Sequence, residues 1–139
     1  MNASEIIDIA KSCLDTPFQH QGRVKGEALD CAGLIVQIAK ELNINHIDKS
    51  AYSLNSNDNS MLETLQLQEE LIEVPKDEFL KGDVVLIRIG RELLHLAVFN
   101  EQTIIHAYEP VGLTCEHDIN SLWLKRVIKV FRFKGVTWA

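Results

Sequence analysis

Cys31 stands in Leu29-Asp30-Cys31-Ala32-Gly33-Leu34, and two histidines, His95 and His106, each sit far downstream inside an apolar run. A thiol can attack a carbonyl carbon, one imidazole can take the thiol's proton, and a second polar ring can hold the first in place. The trio therefore has the parts for nucleophilic acyl transfer. A helix start and a nearby histidine both favour the thiolate over a thiol whose ordinary pKa is about 8.5. At such a helix start the Cys31 N–H can also serve in an oxyanion hole, with Gly33 leaving space beside it. Taken singly, Cys31 is a small buried hydrophobe and each histidine a structural hydrogen-bonder. Taken together they form a nucleophile, a base and an orienting group with no role left over.

A helix and a sheet have to bring these residues together. Asn2 or Ser4 can cap a first helix running to about Leu14, with Ile6, Ile9, Ala10 and Cys13 at helical spacing. Pro17 then forces an extended segment, and 18–29, with Gly22 and Gly26, reads as an irregular loop leading to Asp30. Leu34, Ile35, Ile38, Ala39 and Leu42 predict a second helix over 31–42 with Cys31 in its first turn, ended at 43–45. The stretch 49–70 is polar, with a Ser/Asn/Asp cluster at 53–60, then Met61, Leu62 and Leu65 at the spacing of a short third helix.

From Leu71 the period changes to that of strands, over 71–74, 83–89, 93–99, 103–108, 113–117 and 127–133. Lys81-Gly82-Asp83 and Asn100-Glu101-Gln102 read as tight connections between antiparallel strands. Alternation puts His95, Ala97 and Phe99 on one face, and a hairpin at 100–102 would set His95 and His106 side by side. Helices first and strands after predict an α+β domain, N-terminal helices packed on a mainly antiparallel sheet.

The 139 residues fit one compact domain spanning 1–139. A formal net charge of −6 disfavours a phosphate backbone as partner, so nucleic acid is not expected, despite a modest basic cluster at Lys125, Arg126, Lys129, Arg132 and Lys134. The first residues carry Glu5 and Asp8 where a secretory signal would need a basic region, and runs such as 84–87 are too short to cross a bilayer as a helix. The expectation is cytoplasmic synthesis without a signal peptide or membrane insertion. Cys13, Cys31 and Cys115 are an odd number and form no closed disulfide framework, which suits a reducing compartment.

Five pieces in order resemble the NlpC-type cell-wall peptidases, a branch of the papain-like fold. Thr16-Pro17-Phe18-Gln19-His20-Gln21-Gly22-Arg23 resembles the family's loop approaching the nucleophile, and Asp30-Cys31-Ala32-Gly33-Leu34 its nucleophile motif. Lys81-Gly82-Asp83-Val84-Val85 is similar to the strand before the base, His95-Leu96-Ala97-Val98-Phe99 to the strand bearing it, and Ile105-His106-Ala107 to the strand with the third triad member. The resemblance implies that Cys31 is the nucleophile, His95 the general base and His106 the group orienting it. It also implies a thioester intermediate, no cofactor, and a peptidoglycan stem peptide as substrate, cut between a D-glutamyl side chain and the following diamino acid.

Asp30 corresponds to the family's acidic residue beside the nucleophile, implied to fix the substrate's amine or the approach loop. Two departures stand out. Phe18 replaces the family's usual tyrosine, leaving His20 or Gln21 to supply the missing donor, and Ala32 replaces the usual serine. Arg23 can clamp a substrate carboxylate, pair with Asp30, or be a solvated loop residue. Lys25 and Glu27 read as surface charges, and His46 as a partner of a helix dipole. The His-Gln-Gly-Arg wording resembles the subgroup encoded with phage tails, which implies tail proteins as partners and a virion-associated location.

Rival readings exist. Cys115 and His117 share a strand face and, with His95 and His106, make a zinc-type donor set, although no close Cys-x-x-Cys pair supports it and exposed strand residues account better for both. The same fold can also serve as a non-catalytic adaptor of a tail assembly, or as an acyltransferase or amidase.

Overall fold

A computed structural model describes residues 1–48, 60–90 and 93–138. Its first helix, α1 (Ala3–Ser12), starts at a reciprocal cap: the Asn2 side chain accepts the Ser4 N–H at 2.8 Å while Glu5 accepts the Asn2 N–H at 3.0 Å. Ile6, Ile7 and Ala10 form its buried face. The approach loop then contains a two-residue hairpin, β1 (Arg23–Val24) and β2 (Ala28–Leu29), where the sequence suggested only irregular chain. Strands that short have no periodicity to read.

Helix α2 (Cys31–Glu41) has Cys31 as its first residue and Asp30 as its N-cap, as the stripe of apolar residues predicts. A third helix, α3 (Ser60–Gln66), buries Met61 and Leu65. The predicted loop over 49–59 lies outside the described residues.

The strands are β3 (Leu71–Val74), β4 (Val84–Ile89), β5 (Leu93–Asn100), β6 (Thr103–Tyr108), β7 (Leu113–Asp118) and β8 (Val127–Phe133). They form one six-stranded sheet in the order β3-β8-β4-β5-β6-β7, every pair antiparallel. Asn100-Glu101-Gln102 is the expected hairpin between β5 and β6, with Glu101 at φ 55°. Lys81-Gly82-Asp83 is not a hairpin, because β8 lies between β3 and β4. It is a turn with Gly82 at φ +92°, closed by the buried Asp83 carboxylate, which accepts the Leu80 N–H at 2.7 Å and two N–H groups of Arg132 at 2.9 Å each.

The sheet divides the core. Leu86, Leu94, Leu96, Val98, Ile105 and Phe131 pack toward α1, α2 and α3 in the larger cluster. Val85, Ile87, Ala97, Phe99 and Ile104 fill the other face, against Phe79 and Trp123. Trp123 belongs to α4 (Ser121–Arg126), which the strand pattern did not foretell. This helix is one turn and a half capped by Asn120, and it buries no residue fully, so it leaves no apolar stripe in the sequence. Among the described residues no helix is long and apolar enough to cross a membrane.

Candidate active site

Two devices place Cys31. The first is the cap: Asp30 is fully buried and accepts the Gly33 N–H at 2.7 Å, fixing where α2 begins. The second is the approach loop, which the same carboxylate holds through the Gln21 N–H at 2.9 Å and Arg23 Nη1 at 2.9 Å. Arg23 also reaches the Asp48 carboxylate at 3.0 Å and the Gly22 carbonyl at 2.9 Å. The Asp30 carboxylate thus bonds the loop, and Arg23 forms an ion pair with it at 2.9 Å.

Gly33 does not leave a gap. A Cβ there would lie 2.1 Å from the Gly22 carbonyl oxygen, so the glycine lets the loop's backbone lie directly on the first turn of α2. His20 is exposed, 3.3 Å from the Gln21 amide nitrogen, while Gln21 Oε1 is buried with no hydrogen-bond partner among the described residues.

The histidines come from the sheet. β5 and β6 pair over Val98–Ile105, Phe99–Ile104 and Asn100–Thr103, and the ladder ends there. His106 directly follows the last rung on β6 and His95 lies three residues before Val98 on β5, and their rings meet with His95 Nε2 2.5 Å from His106 Nδ1. The hairpin thus sets the two rings side by side. Cys31 packs in the helix-side core, and the backbone N–H groups of Leu96 and Ala32 point at its sulfur. Leu96 follows His95 directly, so the thiol touches β5 one residue from the imidazole.

The electrostatics differ from the sequence expectation. Burial, reinforced by the Asp30 carboxylate, pushes the Cys31 thiol up to about 12, and the two N–H groups aimed at sulfur offset only part of that. Burial likewise lowers His95 to about 3, with His117 adding to it. It lowers His106 to about 2, with both neighbouring histidines contributing. The helix start was expected to favour a thiolate; desolvation of a fully covered sulfur outweighs it. The Cys31 thiol and the His95 and His106 imidazoles are therefore neutral at rest.

One residue of this cluster was assigned elsewhere by the sequence reading. His117, which the sequence suggests is an exposed strand residue or a zinc donor, is half-buried on β7 with Nε2 2.8 Å from His106 Nε2 and Nδ1 2.9 Å from the Asp118 carbonyl. The shared strand face was visible in the alternation of Cys115 and His117; which bond the ring makes was not. Among the described residues no three His, Cys, Asp or Glu side chains are arranged to hold a metal ion. Tyr108 stacks on His106 at 4.7 Å between ring centroids, and Trp123 meets it edge-on at 5.5 Å. The rings are thereby fenced by aromatic surface.

The NlpC/P60 family pattern matches residues 15–132. Among solved structures, an NlpC/P60 family protein from Bacillus cereus shares the fold at a TM-score of 0.71 and 18% identity, over 96% of this chain and 40% of its own. The NlpC/p60 domain of the peptidoglycan hydrolase SagA is similar at a TM-score of 0.64 and 16% identity, over 96% of this chain and 100% of that domain. The peptidoglycan hydrolase RipB from Mycobacterium tuberculosis is similar at 0.62 and 15%, over 94% and 63%. The chain thus spans well under half the length of the Bacillus protein. No curated protein sequence matches it.

Proposed function

The chain belongs to the NlpC/P60 family, and from that premise we propose that it is a cysteine peptidase that hydrolyses peptide stems of bacterial peptidoglycan. The observation that carries this reading is the direct His95–His106 contact, with the Cys31 sulfur held against the backbone of the next residue on the same strand.

Because thiol and imidazole are neutral at rest, the proton moves when the carbonyl is attacked rather than beforehand. Sγ bonds to the carbonyl carbon as the thiol proton passes to His95, and the carbonyl oxygen becomes an oxyanion. In the first turn Gly33 is bound by the Asp30 side chain and Leu34 by the Asp30 carbonyl, which leaves the Cys31 backbone N–H as the donor for that charge. Collapse of the adduct expels the amine, which takes the proton from His95 and leaves a thioester. His95 then draws a proton from water, whose oxygen attacks the thioester, and the free acid leaves with the Cys31 thiol restored.

The finer substrate reading is the bond between a D-glutamyl side chain and the following diamino acid, supported by the order of the five family motifs. The His20-Gln21-Gly22-Arg23 wording supports carriage on a phage tail, testable by co-purification with tail particles. The catalytic role of Cys31 is tested with a stem-peptide analogue carrying an electrophile in place of the scissile carbonyl. Intact-protein mass spectrometry should show one adduct on Cys31 and none on Cys31→Ser; modification of Cys13 or Cys115 instead would contradict the assignment.

A further inference from the structure

We propose that His117 is a positioning residue of this site: through His106 it dictates which nitrogen of His95 carries hydrogen, and so creates the base. The proposal rests on the peptidase reading above for its effect on rate, though not for its chemistry. Three imidazoles and one carbonyl form an unbroken line, His95 Nε2 to His106 Nδ1 at 2.5 Å, His106 Nε2 to His117 Nε2 at 2.8 Å, and His117 Nδ1 to the Asp118 carbonyl at 2.9 Å.

The far end sets the direction of the whole line. A carbonyl oxygen can only accept, so His117 Nδ1 carries hydrogen, and in the neutral ring Nε2 is left as an acceptor. His106 must then donate from Nε2, which strips its Nδ1. His95 must in turn donate from Nε2 to that bare nitrogen. The His95 lone pair is thereby confined to Nδ1, the one ring nitrogen in the line not engaged by another member and so the one left to act as a base. Without the carbonyl anchor, the His95–His106 bond is satisfied equally well in the opposite sense, with hydrogen on His95 Nδ1 and the lone pair tied up toward His106.

The surroundings favour this role over a merely structural one. His106 is fully buried, so an unmatched donor or acceptor there would be costly, and the line matches both of its nitrogens. His117 sits on the edge strand β7, where its ring is held between His106 and Trp123, the latter 5.1 Å away centroid to centroid. The final acceptor is backbone and cannot titrate away. No proton has to travel along the line during catalysis; it sets a tautomer and holds it.

The experiment compares His117→Leu, which removes the acceptor, with His117→Gln, whose Oε1 can still accept from His106. Nitrogen NMR of ring-labelled protein reports the His95 tautomer, and turnover of solubilised peptidoglycan fragments reports kcat and KM. Wild type should show hydrogen on His95 Nε2 alone. His117→Leu should show both tautomers and a kcat lowered in proportion to the fraction that loses the productive one, about twofold where the two are equally populated, with KM unchanged. His117→Gln should restore both readouts. Hydrogen on His95 Nδ1 in wild type, an unaltered tautomer in His117→Leu, or an unaltered kcat there would overturn the proposal. A wild-type protein with no turnover would refute the peptidase reading instead, and the spectra would still judge the tautomer.

Discussion

His95 Nε2 and His106 Nδ1 lie 2.5 Å apart on strands whose hydrogen-bonded ladder has already ended at Val98 and Ile105. The end of the ladder frees the space beside β5 in which two rings can bond to one another. His106→Ala removes the partner that holds the His95 ring, so the rate should fall without reaching the level of a nucleophile deletion. Steady-state kinetics check this, and a rate equal to wild type would remove His106 from the site.

Asp30 offers a contrast between stability and binding. Its carboxylate caps α2 and holds Gln21 and Arg23, all inside the fold. Asp30→Ala removes the cap and leaves Arg23 without a buried partner, a loss of about 3 kcal/mol in urea unfolding. Unchanged stability with a raised KM would instead return Asp30 to the role of binding a substrate amine.

Gly33→Ala should be more damaging than its size suggests, because the new methyl meets a backbone oxygen at 2.1 Å rather than a side chain that can turn away. The expected loss is roughly 3 kcal/mol together with displacement of the approach loop. Gly26→Ala meets nothing within 4 Å and strains only a φ of +86°, at about 1 kcal/mol. Thermal unfolding of the two variants checks the order; equal losses would show that the Gly22 contact does not constrain the loop.

The buried histidines make folding sensitive to acid. With His95 lowered to about 3 and His106 to about 2 from 6.5, the unfolded chain takes up protons below pH 6.5 that the folded chain refuses. Their contribution is therefore fully present above pH 6.5 and falls as pH drops toward 3, by as much as about 1.4 kcal/mol per pH unit for each ring. The interval from pH 7 to pH 5 favours the rings, since ordinary carboxylates titrate mainly at about pH 4. Urea midpoints across that interval should decline steadily; a flat profile would show that the rings are not buried neutral.

Much of this molecule is written locally. The apolar stripe from Leu34 to Ala39 and the cap at Asp30 define α2, and the alternation in Leu93 to Phe99 defines β5, so Cys31, His95 and His106 could be placed on their elements from spacing alone. The features that escaped depend on contacts between distant segments. The neutral thiol follows from how completely the core covers Cys31. The pairing of Arg23 with both Asp30 and Asp48 follows from a loop that folds back across α2. The role of His117 follows from which way one ring turns on β7, and α4 from a helix too short to show a period.

The most direct measurement is mass spectrometry of solubilised peptidoglycan fragments after incubation with the wild-type protein and with Cys31→Ala. Replacing a buried thiol by a methyl changes little volume, so the variant should fold as wild type does. The account predicts new peptide termini at one bond with wild type and none with Cys31→Ala. Cleavage by the variant, or no cleavage by either together with a Cys31 inert to thiol reagents, would contradict it.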